Sequence, residues 1–248
     1  MYQLYIANKN YSSWSLRPWV LMRELEIAFA EHLVPFGQVS SWEGYRKISP
    51  SGKVPCLIDG GSTVWDSLSI VEYLAERHDA VWPADPSARA WARSAAAEMH
   101  SGFTELRNRC PFSCGIRALL KEIPAGLARD IGRIHVLWSD GLRRFGGPFL
   151  SGKLFTAVDA FFAPIAFRVQ TYGLTLDAAC AAYAARLLDL GSMREWYADG
   201  LKEKWRHEPH EAEVLQMGSV LDDLRQKDEC SAESIGSRAR VDPPTWST

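Results

Sequence analysis

The sequence predicts an α/β domain over residues 1–80, a linker over 81–86, an all-α domain over 87–215 and a terminal extension over 216–248. Three observations predict this. Short strand-like runs fall before residue 80, at Tyr2–Ala7, Cys56–Asp59 and Thr63–Trp65. After Pro86, apolar residues recur at three- and four-residue spacings, the period of packed helices. Between the two regimes, Trp82-Pro83-Ala84-Asp85-Pro86 is broken by proline twice.

Each element has a local reason. Tyr2–Ala7 forms the first strand, and Ser15–Glu24 a helix with Ser15 as its cap and Pro18 in its first turn, where a missing N–H costs nothing. Tyr5 belongs to the strand and the core. Ala28–Leu33 is a second strand of poor alternation. Pro35, Gly37, Gly44, Pro50 and Gly52 make a loop with one short helix around Trp42–Lys47. Gly60-Gly61 turns a hairpin, and Ser67–Arg77 closes the domain with Ile70, Val71 and Leu74 inward. Pro86–Arg109 carries Trp91, Ala95, Met99, Phe103 and Leu106 on one helix, and Ile116–Phe145 a second, broken near Gly126. Thr156-Ala157-Val158-Asp159 is a capping box for the apolar helix Ala160–Val169, a stability device. Beyond Leu224 the extension is charged, rich in Ser and Pro and short of apolar residues, predicting partial disorder in 216–248.

Composition excludes several functions. The 248 residues are 47% hydrophobic, enough for two cores, and the formal charge of −2 offers no basic field to nucleic acid. No apolar run is long enough to span a bilayer, and Met1-Tyr2-Gln3-Leu4 has neither the basic start nor the long apolar stretch of a secretion signal, so a cytoplasmic protein is expected. Cys56, Cys110, Cys114, Cys180 and Cys230 contain no C-x-x-C pair; Cys56 is a small core residue, and Cys110 and Cys114 are either buried or facing a cleft. His207 and His210 lie in an acidic, proline-broken stretch expected to be an exposed connection, and no metal site is expected.

The chemistry concentrates in residues 53–70. If Val54–Pro55 is cis, the Val54 N–H and C=O point outward and unpaired, ready for a ligand backbone. Asp66 and Ser67 open a helix, offering a carboxylate, a hydroxyl and free N–H groups to the ends of a small peptide; equally, Asp66 caps that helix and Ser67 fills its first turn. The segment resembles the cis-proline strand and acidic-Ser-x-x-Ile motif of the glutathione transferase superfamily. That resemblance implies a thioredoxin-like first domain, an all-helical second domain, glutathione as bound cosubstrate and a homodimer. It places Val54 against the cysteinyl unit, Asp66 and Ser67 at the γ-glutamyl end, and Lys53, Arg46 or Lys47 at the glycyl carboxylate.

A second stretch, Tyr11-Ser12-Ser13-Trp14-Ser15-Leu16-Arg17-Pro18-Trp19, is similar to the Ser-Ser-Cys-Ser-x-Arg signature of zeta-like glutathione transferases, which include maleylacetoacetate isomerases. The whole run resembles more closely a bacterial subgroup of the superfamily. The resemblance makes Ser12 or Ser13 the hydroxyl that stabilises a bound thiolate, with Tyr11 as competitor, and Arg17 the arginine of the first helix. A hydroxyl just before a helix N-terminus suits that task, because the helix dipole also favours negative charge. Trp14 stands where the signature has cysteine, which removes cysteine chemistry there.

Three functions follow: a glutathione transferase acting on a small hydrophobic electrophile, a zeta-like isomerase or peroxidase using the same thiolate, and a binding or stress-related protein without turnover. Met99, Phe103, Arg107 and Phe112 are candidates for the electrophile side, and Trp14, Trp19 and Trp65 for the domain junction.

Overall fold

The chain opens with β1 (Tyr2–Ile6), whose Leu4 and Ile6 are fully buried. α1 (Ser13–Glu24), β2 (Phe29–Leu33), α2 (Ser41–Arg46), β3 (Cys56–Asp59), β4 (Ser62–Trp65) and α3 (Ser67–Ala75) follow. In the computed structural model, which describes residues 1–37 and 41–226 and only the backbone of 41–43, the four strands form one sheet in the order β2-β1-β3-β4. β2 runs parallel to β1 with Leu4 opposite Glu31, and parallel neighbours need the crossover that α1 supplies. β3 is antiparallel to β1, with Leu57 opposite Leu4, and β4 pairs Trp65 with Cys56. This is a thioredoxin-like α/β domain.

Details of this domain differ from the expectation. Tyr5 is half-buried and stacks on His32 with ring centroids 4.6 Å apart, so it lies outside the core. In the hairpin only Gly60 has positive φ (56°), so one glycine carries the reversal. α1 begins two residues before Ser15, and Ser12 is its cap: the Ser12 Oγ accepts from the Ser15 N–H at 3.3 Å and donates to Ser15 Oγ at 2.7 Å. Pro18 therefore sits in the second turn, where its missing N–H deprives the Trp14 carbonyl of a helical partner.

After a 3-10 turn at Asp79–Val81 come α4 (Pro86–Ser101), α5 (Thr104–Arg109), β5 (Ile116–Leu120) and α6 (Ala125–Phe145). α7 (Ala157–Tyr172), α8 (Ala178–Asp189), α9 (Gly191–Lys202), α10 (Glu208–Met217) and β6 (Gly218–Asp223) complete the described chain. α7 is apolar on nearly every side because it is the centre of the second region, packed against α1, α4 and α8. Its capping box is formed: Asp159, fully buried, accepts from the Thr156 N–H at 2.9 Å, and it also takes the Leu150 N–H at 3.0 Å and the Tyr183 hydroxyl at 2.8 Å. Among the described residues no helix is long and apolar enough to cross a membrane.

The helical region carries elements that the apolar period does not predict. The helix expected over Pro86–Arg109 breaks at Gly102 and Phe103, the latter left-handed at φ 58°; a Cβ on Gly102 would lie 2.9 Å from the Glu98 carbonyl. Ile116–Leu120, expected to begin a helix, is a strand with Ile116 and Ala118 inward, paired antiparallel with β6 about a hundred residues later. Within the extension expected to be partly disordered, residues 216–226 end α10 and form β6; its remainder lies outside the described residues, as does Cys230. His207 and His210 are not a mere exposed connection either. The His210 ring is stacked on Tyr11 at 5.1 Å and on Phe36 at 5.2 Å.

Arg225 locks this ribbon to the first domain. Its side chain is 3% exposed, pairs with Glu211 at 2.5 Å and Asp223 at 2.7 Å, and donates to the Tyr11 hydroxyl at 3.0 Å. Arg225→Ala removes a buried charge from the buried Tyr11 hydroxyl and from the carboxylates of Glu211 and Asp223. It is expected to lower unfolding stability by about 2–3 kcal/mol, read by urea titration.

Candidate functional site

Three pieces of the first domain converge on one cavity of about 460 Å³: the start of α1, the loop before β3 and the junction of β4 with α3. Lys53, Val54, Pro55, Asp66 and Ser67 all line it, together with Trp14, Ser51 and Trp65. A larger, carbon-lined cavity of about 630 Å³ lies between the end of α1, residues 79–85 and residues 151–156, and holds none of the expected site residues.

The Val54–Pro55 peptide is cis. The Val54 N–H and C=O make no backbone hydrogen bond among the described residues, so a strand-like ligand can pair with them. Lys53 is exposed beside them and forms no ion pair among the described residues, whereas Arg46 and Lys47, at and beyond the end of α2, do not line the cavity. Asp66 caps α3, accepting from the Leu68 N–H at 2.8 Å. It holds φ 74°, an uncommon conformation for a residue with a side chain, on the wall of the cavity. Ser67 is buried, and its Oγ lies 3.5 Å from Arg17 Nη1.

Arg17 backs the cavity from behind. It is 1% exposed, with its guanidinium 4.2 Å from the Trp14 ring centroid and 4.9 Å from that of Phe161. Burial, with Arg107 and Arg168 nearby, pushes its pKa well down, and its Nε has no partner. A second guanidinium, that of Arg107, lies 4.7 Å from the same ring centroid. Trp14 is thus held by two cations, and by the edge of His100 at 5.3 Å.

Ser12 and Ser13 do not line the cavity themselves but flank Trp14, which does. The Ser12 hydroxyl is committed to Ser15, while the Ser13 hydroxyl has no partner among the described residues. The N–H groups of Ser13 and Trp14 point out of the open end of α1 without a backbone partner. Tyr11 is turned away: its hydroxyl donates to Glu211 at 2.5 Å, and burial together with that carboxylate raises its pKa far above the usual tyrosine range.

Of the residues expected on the electrophile side, Met99, Phe103 and Phe112 are buried core, and only Arg107 reaches the site, through Trp14. Trp19 packs edge-on against Trp196 at 5.1 Å, while Trp65, 43% exposed, is a wall of the cavity. Cys110 and Cys114 are fully buried and do not face a cleft; burial lifts the Cys110 thiol to about 12 and the Cys114 thiol further. Among the described residues there is no group of three or more metal-ligating side chains.

His100, which the sequence reading did not single out, lies against the site residues. It sits one turn after buried Ala96 on the inner stripe of α4, with Nε2 3.5 Å from Asp66 Oδ2 and Nδ1 3.5 Å from Arg17 Nη1. Burial lowers its pKa; Asp66 opposes that, and Arg17 and Arg107 add to it. The available signal was the i, i+4 relation to Ala96, masked by the stronger apolar positions Met99 and Phe103.

Residues 11–77 match the family model described as glutathione S-transferase, N-terminal domain. The chain is 25% identical over 183 residues to a probable maleylacetoacetate isomerase of Caenorhabditis elegans, covering 70% of this chain and 81% of that protein. It is 32% identical over 105 residues to glutathione S-transferase theta-1 of Mus musculus, covering 41% of this chain and 37% of that one. A theta class glutathione S-transferase of Xanthomonas axonopodis pv. citri, solved with glutathione bound, superposes with TM-score 0.59 at 22% identity, covering 79% of this chain and 96% of that one. That likeness is one of fold.

Proposed function

We infer that this chain belongs to the glutathione S-transferase superfamily and is a glutathione transferase that presents the glutathione thiolate to a small hydrophobic electrophile. The observation that carries this is the convergence of Lys53, the unpaired Val54 backbone, Asp66 and Ser67 on one cavity. Their chemistry fits an extended peptide with an amine and a carboxylate at one end and a carboxylate at the other.

When bound, glutathione supplies the nucleophilic sulfur. Asp66 takes the γ-glutamyl amine, while Ser67 and the N-terminus of α3 take its carboxylate. Val54 pairs with the cysteinyl backbone, and Lys53 faces the glycyl carboxylate. The Ser13 hydroxyl and the open N–H groups of α1 hold negative charge on sulfur, lowering the pH at which the proton leaves. Trp14 and Trp65 give the electrophile aromatic walls.

Similarity to a probable maleylacetoacetate isomerase supports a second reading, a zeta-like isomerase. Against it, a bulky Trp14 occupies the place of the signature's cysteine and lines the cavity. The proposal includes a cytoplasmic homodimer, to be checked by sedimentation. Calorimetry with glutathione, followed by assay with an activated aryl halide, tests the function. Saturable binding with turnover is expected; binding without turnover on a range of electrophiles favours a binding protein, and absence of both overturns the reading.

A further inference from the structure

His100 comes from the second domain yet meets both recognition elements of the first. An arginine N–H can only donate, so the His100 Nδ1 facing Arg17 must carry the lone pair, and the ring proton must sit on Nε2. Nε2–H then faces the Asp66 carboxylate. The two neighbours therefore select one tautomer of a neutral ring. Arg17 in turn points the same Nη1 at Ser67 Oγ, which, accepting there, keeps its own proton for another partner. Arg17 is a buried cation with no ion pair among the described residues, so a ligand carboxylate at Ser67 would supply the missing counter-charge. The contacts, at 3.5 Å, are long, as hydrogen bonds often are before a ligand closes them.

We propose that His100 is the positioning residue of the γ-glutamyl subsite, holding Asp66 directly and Ser67 through Arg17, so that glutathione affinity depends on His100 being neutral. Protonation would place an N–H on Nδ1 against the Arg17 N–H and remove its acceptor. The charged groups facing His100 are Asp66, the cap of α3, Arg17 from α1 and Arg107 from α5; the uncharged rings of Trp14 and Phe161 meet it edge-on. Asp66 favours the protonated ring, and burial with the two arginines outweighs it. The neutral form therefore prevails at pH 7, and protonation requires a lower pH than for a free imidazole.

This inference rests on the glutathione reading, and the test separates the two. S-methylglutathione, which has no thiol to ionise, is titrated by calorimetry between about pH 5 and 7, where its carboxylates stay ionised and its amine protonated. Wild-type affinity should fall as pH is lowered across that range, by no more than about tenfold per pH unit, the steepest dependence one titrating group can produce. His100→Phe, which keeps the ring packing, should bind about tenfold more weakly at pH 7 and show a flat profile. His100→Gln, which keeps one donor toward Asp66, should lie between the two and also be flat. Unfolding midpoints measured alongside show that the variants are folded. Variants that keep the wild-type affinity or the wild-type slope overturn the role of His100 alone; a wild type that does not bind overturns both readings.

Discussion

Asp159→Ala is expected to lower unfolding stability by about 3 kcal/mol at pH 7.5, shifting the melting temperature by about 10 °C. The substitution leaves the Leu150 N–H, the Thr156 N–H and the Tyr183 hydroxyl without their buried acceptor. Part of that cost is offset because a buried charge is also removed. Burial outweighs the hydrogen bonds and lifts the Asp159 carboxyl to about 6, above its usual unfolded value. The folded state then holds this proton more tightly than the unfolded one, a contribution present in full below about pH 4 and lost as pH rises through about 6. The stability gap between wild type and variant should therefore be wider at pH 4 than at pH 7.5. Urea unfolding at the two pH values measures it; a narrower gap in acid contradicts the assignment.

Ser13→Ala is expected to reduce kcat/KM toward an activated aryl halide by about a hundredfold, the effect of removing one preorganised donor to a developing anion. Ser12→Ala should behave differently. Its hydroxyl already serves Ser15, so the main loss is a helix cap, about 1 kcal/mol of stability. Steady-state kinetics and thermal unfolding of both variants separate the roles. A hundredfold loss in the Ser12 variant, with Ser13 indifferent, would reverse the assignment.

Local signals made much of the first domain legible. Gly60 in the hairpin, the acidic cap and serine opening α3, and the proline before β3 each act within a few residues, and the cavity assembles from them. The start of α1 was misplaced because Ser12, Ser13 and Ser15 are equivalent as caps by composition, and only the backbone at Ser12 selects among them. β5 was hidden for a different reason. Ile116–Leu120 supports either period over so short a span, and its partner lies beyond α10. The Arg225 lock is similarly non-local, joining residues 11, 211, 223 and 225. His100 escaped because a histidine on an apolar helix face has no local signature; its meaning comes from Asp66 and Arg17, each on a different helix. Conversely, Met99, Phe103 and Phe112 have the apolar character of a substrate wall but are spent on the core.

The most direct test of the central claim is an ultraviolet difference titration of glutathione bound to the wild-type protein, with Ser12→Ala and Ser13→Ala beside it. The account predicts a thiolate signal that rises below the free-thiol value of about 8.5 and moves back toward it in the Ser13 variant. A bound thiol that ionises as it does in solution would contradict it.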